Sequence, residues 1–330
     1  MIPRLLFAVG LALALPLGAW AQSLKVDGSS TVYPISKSAA EEFQKARKGA
    51  ASILVGMSGT GGGFKKFCRG ETDVAGASRP ILGGEIENCK RAGVEFIELP
   101  IAYDAVTVIV NLKNTFVKSM SIDELRILWE PAAQGNIVKW KQINPGWPDT
   151  PIKLLGPGPE SGTWDYFTQA VVGKAKSSRG DYMVSEDHAI VVKGVARDAN
   201  ALGFVGYGYY AGDIGKLKAV AIAEKAGGVA VEPTPENVLR GAYPRLARPL
   251  FIYVSTKSLD KPGVREFVEF YLSQGAKLSK AAKSIPLPDA AYRTGLDLVA
   301  TPRAEAYSSF SALKAEATER GAVRINDKCF

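Results

Sequence analysis

The apolar and polar positions near the start of the chain predict a strand that runs directly into a helix. Residues 24–27 alternate in polarity, which is typical of a short, half-buried strand. After a polar stretch, apolar residues recur at four-residue spacing at Ile35, Ala39 and Phe43, and Pro34 stands in the first turn, where proline is tolerated. This part of the chain therefore predicts a strand, a hydroxyl-rich turn and an amphipathic helix.

The same pattern continues along most of the chain. Short apolar runs predict further strands at 52–57, 74–77, 96–100, 105–111, 152–155 and 248–256, with an aromatic strand or turn at 201–210. Helical spacing predicts helices at 121–129, 164–171, 264–272 and 307–315, and Ser121 with Glu124 forms a capping box at the first of these. Alternating strands and helices indicate an α/β fold, and the absence of a long linker indicates lobes joined by crossing strands.

Three of the predicted strand-to-helix junctions are rich in Ser, Thr and Gly. They comprise Ser29, Ser30 and Thr31; then Ser58, Gly59 and Thr60 in a longer glycine run; and then Ser161, Gly162 and Thr163. The unpaired amides of a helix N-terminus attract anions, and glycines let an anion approach the backbone. Each junction alone is equally well explained by helix capping, and the glycine run alone by a flexible turn.

The glycine run is followed by a carboxylate at Asp73 and a guanidinium at Arg79, which complete the parts of an oxyanion site. A short helix is expected to begin at the end of the run, where Phe64 and Phe67 stand three residues apart. The run is not a Walker A loop, because Gly63 leads to Phe64 where that motif requires Lys.

Composition and charge exclude several classes of protein. The 330 residues carry 41 Lys and Arg against 33 Asp and Glu, and the basic residues are dispersed, which does not fit a nucleic-acid-binding surface. Residues 1–21 have the charge, the apolar run and the Ala-Trp-Ala end of a cleaved secretory signal, so we expect an exported protein. Export and short spacing predict a disulfide between Cys68 and Cys89, which leaves Cys329 as a free thiol.

Five stretches in this order resemble one family: GSSTVYPI, SGTGGGFKKFCRGETDVAGASRPI, ESGTWDYF, GFVGYGYY and AYPRLARPLFIYV. They are similar to the periplasmic phosphate-binding proteins of the ABC phosphate importer, the PstS type and especially its SphX-like branch. The resemblance covers nearly the whole mature chain. It implies a two-lobed periplasmic binding-protein fold of type II, with lobe 1 formed by 22–108 and 253–330 and lobe 2 by 109–252.

The resemblance also implies a function and a set of contacts. Inorganic phosphate would be bound in the periplasm and delivered to a membrane permease by a monomer that needs no cofactor, no metal and no nucleic acid. The implied donors are Ser29, Ser30, Thr31, Ser58, Gly59, Thr60, Ser161, Gly162 and Thr163. Asp73 would accept the proton of the ligand and so discriminate against sulfate, which has none at neutral pH.

One position departs from the family pattern. Many members have an arginine four residues before the serine of the SGT motif, where this chain has Pro157. The positive charge must come from elsewhere, and Arg79 is the best candidate, with a structural salt bridge as its alternative role.

Two other functions were weighed against phosphate binding. A secreted phosphatase-like hydrolase could use Ser161 as nucleophile, but the chain has a single histidine, His188, which we expect in a solvated loop or cap. We therefore expect no enzymatic activity and no catalytic residues. A binding protein for another tetrahedral oxyanion, such as sulfate or molybdate, is the second alternative, and Asp73 argues against it.

Overall fold

The computed structural model describes residues 23–47 and 52–301. The predicted signal segment, Cys329 and the predicted helix at 307–315 lie outside these residues. Within the two described ranges, none of the helices combines the length and the apolar character that crossing a membrane requires.

Twelve strands and eleven α-helices are assigned within these ranges. The strands are β1 Leu24–Gly28, β2 Ile53–Val55, β3 Val74–Ala77, β4 Phe96–Asn111, β5 Ser119–Ser121, β6 Lys153–Gly156, β7 Met183–Val184, β8 Ala201–Gly206, β9 Leu217–Ala219, β10 Ala221–Ala223, β11 Ala230–Val231 and β12 Ala247–Ser255. The helices are α1 Tyr33–Ala46, α2 Gly59–Phe67, α3 Gly83–Arg91, α4 Ile122–Trp129, α5 Gly162–Val172, α6 His188–Arg197, α7 Tyr207–Gly212, α8 Pro235–Leu239, α9 Val264–Ser273, α10 Gly275–Ala281 and α11 Asp289–Ala300.

The main sheet passes through both lobes in the order β2-β1-β3-β12-β4-β8-β6-β7. Its continuity comes from β4, which was predicted as two strands and is a single strand of 16 residues. Residues 96–105 of β4 pair with β12, whereas residues 106–110 pair with β8. The prediction of two α/β lobes joined by a crossing strand is confirmed.

Each lobe has its own hydrophobic core. The first core is formed by residues between Leu24 and Ala102 together with residues from Leu250 onward. The second is formed by residues between Ala105 and Ala247, with Ile285 added from the later part of the chain. These two cores have no buried residue in common, which divides the fold into two lobes.

Local sequence signals are borne out in both lobes. Helix α1 buries Ile35, Ala39 and Phe43 against the first core, as their spacing predicts. At the start of α4 the amide of Glu124 donates to Ser121 Oγ at 3.1 Å, and the amide of Ser121 donates to Glu124 Oε2 at 2.7 Å. This reciprocal pair is the predicted capping box.

The predicted disulfide between Cys68 and Cys89 is present. It joins the end of α2 to α3 and packs against buried aromatic residues, among them Phe67 and Phe96. The bridge therefore closes the loop that carries β3 and the segment directly after it.

Candidate anion-binding site

The candidate site lies where the carboxyl ends of strands from both lobes meet. In the first lobe β1, β2 and β3 run parallel, so the segments that follow them, 29–31, 58–60 and 78–79, lie at one edge of the sheet. In the second lobe β6 leads to the segment 161–163, which faces the others across a cleft. Open α/β sheets bind ligands at this kind of edge.

Hydroxyl side chains from the two lobes meet in this cleft. Thr31 Oγ1 lies 3.0 Å from Thr163 Oγ1, and both side chains are buried. Thr60 Oγ1 lies 3.2 Å from Ser78 Oγ, and a Cβ atom added to Gly162 would be 2.4 Å from Thr60 Oγ1. Only glycine fits at position 162, so the hydroxyls of the first lobe lie directly against the start of α5 in the second.

Arg248 in β12 connects these hydroxyls. Its guanidinium donates to Thr163 Oγ1 at 2.7 Å and lies 3.4 Å from Thr31 Oγ1. It also donates to the carbonyl oxygens of Ser78 and Gly162, so a single side chain contacts both lobes. The side chain is fully buried, and arginine keeps its positive charge in proteins.

Asp104 in β4 is the counter-ion of Arg248. Nε and Nη2 of Arg248 donate to Asp104 Oδ2 at 3.0 and 2.8 Å, and the amide of Tyr207 donates to Asp104 Oδ1 at 2.8 Å. Both carboxylate oxygens are therefore used, as a buried ion pair requires. The pair fixes the guanidinium beside the threonine hydroxyls.

The first predicted junction contributes Thr31 and the adjoining Ser29, whereas the hydroxyl of Ser30 is bound elsewhere. Ser29 Oγ accepts from the amide of Thr31 at 3.2 Å, which shapes the turn before α1. Ser30 donates its hydroxyl to the carbonyl oxygen of Glu186 at 2.6 Å, across the cleft. The Ser30 hydroxyl therefore donates within the protein, whereas the Ser29 hydroxyl is described only as an acceptor, as is that of Ser161.

The glycine run forms the first turns of α2, so the expectation of a helix beginning at its end is wrong. The helix starts at Gly59, directly after Ser58. The amide and the hydroxyl of Ser58 both donate to Asp27 Oδ1, at 3.0 and 2.7 Å, which joins the end of β2 to β1. Of the three residues predicted here, Thr60 lines the cleft with its hydroxyl.

The third junction has the geometry of a capped helix start. Ser161 Oγ accepts from the amide of Thr163 at 3.2 Å, and α5 begins at Gly162. The positive end of this helix therefore points into the cleft beside Thr163, where an anion is stabilised.

Arg79 lies next to the cleft, but its donors are taken by protein carboxylates. Nη1 and Nη2 each donate to Glu85 at 2.8 Å, and Nε donates to Asp165 at 2.6 Å. Burial alone would lower the pKa of Arg79, and the two carboxylates more than offset this and raise it. Its geometry fits the alternative of a structural ion pair, so Arg248 replaces it as the candidate cation of the site.

Asp73 is not brought to the cleft. It precedes β3, whereas the cleft lies at the other end of that strand. Its carboxylate accepts from the amide of Lys25, the hydroxyl of Ser258 and the ammonium group of Lys261. Burial would raise the pKa of Asp73, but these donors outweigh burial and lower it.

His188 is buried and not solvated, which corrects the expectation from its polar neighbours. Its Nδ1 accepts from the amide of Gly206 at 3.2 Å. Burial, and to a lesser degree the charge of Arg248, lower the pKa of His188 to about 3, so the ring is neutral at physiological pH. It supports the start of α7 behind the site.

Four residues in or beside the site were missed by the sequence argument: Ser78, Asp104, Asp165 and Arg248. A signal for two of them was present, because Asp104 and Arg248 are charged residues within or at the start of strongly apolar strands. A charge on a strand that is buried along its length needs a partner, and each of these two is the partner of the other.

Comparison with known proteins places the chain in a family. Residues 18–274 match the PBP superfamily domain. The chain is 46% identical to SphX of Synechocystis sp., over 89% of this chain and 87% of the relative, and 36% identical to the phosphate-binding protein PstS of Staphylococcus saprophyticus, over 82% of each. A structure from Clostridium perfringens, assigned as a phosphate ABC transporter substrate-binding protein with bound phosphate, is 28% identical with a TM-score of 0.67 and covers 81% of this chain and 100% of its own. This chain therefore belongs to the PBP superfamily, in the group that contains the SphX and PstS proteins.

Proposed function

We propose that this protein binds inorganic phosphate between its lobes and delivers it to the membrane permease of an ABC importer. The proposal rests on the buried cluster in which the hydroxyls of Thr31 and Thr163 meet beside Arg248, with the Thr60 hydroxyl against Gly162. Donors of this kind replace the hydration shell of a small oxyanion, which is costly to bury unpaired. The printed name of the PstS relatives, phosphate-binding protein, and the phosphate bound in the Clostridium perfringens protein support the same ligand.

The proposed ligand-binding set combines predicted and newly found residues. It consists of Ser29, Thr31, Thr60, Ser78, Ser161, Gly162, Thr163, Asp165 and Arg248. Ser30, Ser58 and Gly59 are proposed to support this set through the backbone, because the hydroxyls of Ser30 and Ser58 donate to acceptors of the protein.

Asp165 is the proposed acceptor of the ligand's proton. Its Oδ2 accepts from Arg79, whereas its buried Oδ1 has no hydrogen-bond partner among the described residues. Asp165 stands three positions after Gly162 on the same face of α5, and helical side chains lean toward the N-terminus of their helix. The free oxygen is therefore close to the cleft, where protonated phosphate can donate to it and sulfate cannot.

Selectivity tests this assignment directly. Asp165→Asn retains an oxygen for Arg79 but loses the acceptor-only character of the carboxylate, so the preference for phosphate over sulfate should narrow at least tenfold. Asp73→Asn is the matched control, because that carboxylate lies at the far end of β3. Both ions are titrated against the parent and the two variants. A preference for phosphate over sulfate that changes only in Asp73→Asn would refute the assignment of Asp165.

Release of the ligand requires the lobes to separate. We place the hinge where the chain passes between the two cores, between Ala102 and Ala105 and again between Ala247 and Leu250. The boundaries proposed from sequence, after 108 and after 252, lie a few residues further along β4 and β12. We further propose an exported, periplasmic monomer without a cofactor, on the basis of the signal segment in the sequence and of its binding-protein relatives.

A hydrolase that uses Ser161 is not favoured. The Ser161 hydroxyl accepts from the amide of Thr163, and Nδ1 of the single histidine is bound to the amide of Gly206. A serine nucleophile needs a base within hydrogen-bond reach, and the described contacts of Ser161 include none. We therefore propose that the protein is a receptor and not an enzyme.

Calorimetry of the mature protein with phosphate, sulfate, arsenate and a phosphomonoester tests the function. Thr163→Val removes a hydroxyl of the proposed site and should weaken phosphate binding at least tenfold, the effect of losing one hydrogen bond to a charged group. Thr168→Val is the control on the same helix, since the Thr168 hydroxyl donates to helix carbonyls at Trp164 and Asp165. Absence of phosphate binding by the parent protein would refute the proposal.

A further inference from the structure

The N-terminus of α2, which the glycine run suggests as an anion site, is occupied by a residue of the other lobe. The amide of Gly61 donates to the carbonyl oxygen of Glu160 at 2.9 Å. Glu160 directly precedes Ser161, and its own amide donates to Glu186 Oε1 at 3.2 Å, which holds it on the second lobe. A backbone carbonyl thus satisfies a helix donor across the cleft, beside the proposed phosphate site.

The glycines of α2 make this contact sterically possible. A Cβ atom at Gly59 would lie 2.4 Å from the carbonyl oxygen of Glu160 and 2.8 Å from its carbonyl carbon. A Cβ atom at Gly61 would lie 3.0 Å from Glu160 Oε2. The first clash is with backbone, which cannot turn aside as a side chain can, so the lobes could not come together fully.

The side chain of Glu160 adds a second, weaker contact. Lys65 Nζ lies 2.6 Å from Glu160 Oε1, with the two side chains 63% and 39% exposed. Exposed ion pairs contribute little to stability, so the backbone contact with the glycines is the stronger part.

We infer that Glu160 is a positioning residue for closure of the cleft, and that the glycines of α2 leave room for its backbone carbonyl group. The inference rests on the proposed function, because a receptor of this kind retains its ligand by closing its lobes. The contact forms outside the ligand space and brings Ser161, Gly162 and Thr163 to their places opposite Thr60. Closure then depends on residues that do not touch the ligand.

A pair of glycine variants tests the steric step. Gly59→Ala introduces a side chain both at a positive φ of 78° and against Glu160, whereas Gly70→Ala introduces one at a φ of 71° with nothing within 4 Å. Both variants carry a similar backbone strain. Only Gly59→Ala should hinder closure, so a difference between the two variants isolates the contact with Glu160.

Cross-linking measures the contact directly, at saturating inorganic phosphate and again without it, because the lobes are proposed to close on the ligand. Cysteines introduced by Lys65→Cys and Glu160→Cys, in a Cys329→Ser background, are joined with a short bifunctional reagent. Gly59→Ala should lower the cross-linked fraction at least fivefold, and Gly70→Ala should leave it within twofold. If phosphate raises the cross-linked fraction of the parent, equal fractions in the two variants at saturating phosphate would overturn the inference; no rise in the parent would count against the proposed function instead.

A second experiment, in the presence of phosphate, distinguishes failure of the lobes to close from loss of a contact with the ligand. At saturating inorganic phosphate, small-angle scattering should show contraction of the parent and of Gly70→Ala but not of Gly59→Ala. Full contraction of Gly59→Ala would also overturn the inference, while failure of the parent to bind phosphate refutes the proposed function alone. If Gly59→Ala does not fold, Gly61→Leu serves in both arms with Gly84→Leu as its control, since a Cβ at Gly84 meets nothing within 4 Å.

Discussion

Replacement of Arg248 should separate the stability of this protein from its binding. Arg248 and Asp104 are 0% and 1% exposed at their side chains, and Arg248 is the cation that reaches both Thr31 and Thr163. Arg248→Met removes the guanidinium while keeping much of its apolar stem. The carboxylate of Asp104 is then left buried with the amide of Tyr207 as its remaining described donor.

The expected cost follows from this geometry. Breaking a buried ion pair by removing one partner typically destabilises a protein by about 3–5 kcal/mol, because the other charge is left uncompensated. Asp104→Asn in addition removes that charge and retains an oxygen for Tyr207. The double variant should therefore recover about 2 kcal/mol relative to Arg248→Met, a coupling within the usual range for residues in contact.

Phosphate binding should respond differently from stability. Both variants that lack the guanidinium should bind phosphate at least a hundredfold more weakly, since a charge-assisted bond and the positions of Thr31 and Thr163 are lost. Asp104→Asn alone keeps the cation and should bind within tenfold of the parent.

The double-mutant cycle is measured on the parent, the two single variants and the double variant. Urea unfolding gives the free energy of unfolding of each protein, and calorimetry gives its affinity for phosphate. Additive losses of unfolding free energy would show that the two side chains do not form a coupled ion pair. Binding by Arg248→Met within threefold of the parent would show that another residue supplies the positive charge.

Three further predictions concern residues outside the cleft. Asp73→Asn should lower the free energy of unfolding at pH 7. Because folding lowers the pKa of Asp73, its contribution to stability is present above the unfolded pKa and is lost as pH falls through the folded pKa. Urea unfolding at pH 7 and near pH 3 checks this, and an equal loss of unfolding free energy at both pH values would contradict it. Reduction of the Cys68–Cys89 bridge, whose cysteines are 21 positions apart, should cost about 3 kcal/mol by the same assay, and an unchanged midpoint would argue against the loop-entropy argument. Ser121→Ala should cost about 1 kcal/mol with phosphate affinity unchanged, whereas a loss below 0.3 kcal/mol, roughly the scatter between measurements, would mean that Glu124 alone caps α4.

Features that depend on neighbours along the chain were predictable. The capping box of Ser121 and Glu124 and the buried face of α1 follow from spacings of three and four residues, which fix contacts within a single helix. The disulfide followed from export and from two cysteines close in sequence. The three hydroxyl-rich junctions were also found, because a strand that leads into a capped helix has a local signature.

Charge pairing was decided only by the tertiary structure. The sequence presents Arg79 and Asp73 near the glycine run, and nothing local distinguishes them from Arg248 and Asp104, which are 144 positions apart. Asp73 and Ser78 stand at opposite ends of β3. Asp73 therefore faces Lys261, while the segment after β3 reaches the cleft. Sequence separation carries no information about which buried charge meets which, because β4 and β12 are brought together only by the complete sheet.

The same reasoning applies to the glycine run. Its composition by itself permitted a close approach to the backbone, since glycine has no Cβ atom, but fitted a flexible turn equally well. The tertiary structure decided what approaches it: the carbonyl of Glu160, which comes from the other lobe and closes on Gly59 and Gly61. The polarity of a segment and its local conformation depend on residues that are neighbours in sequence. Which residue contacts that segment across the cleft depends on how the two lobes are placed against each other.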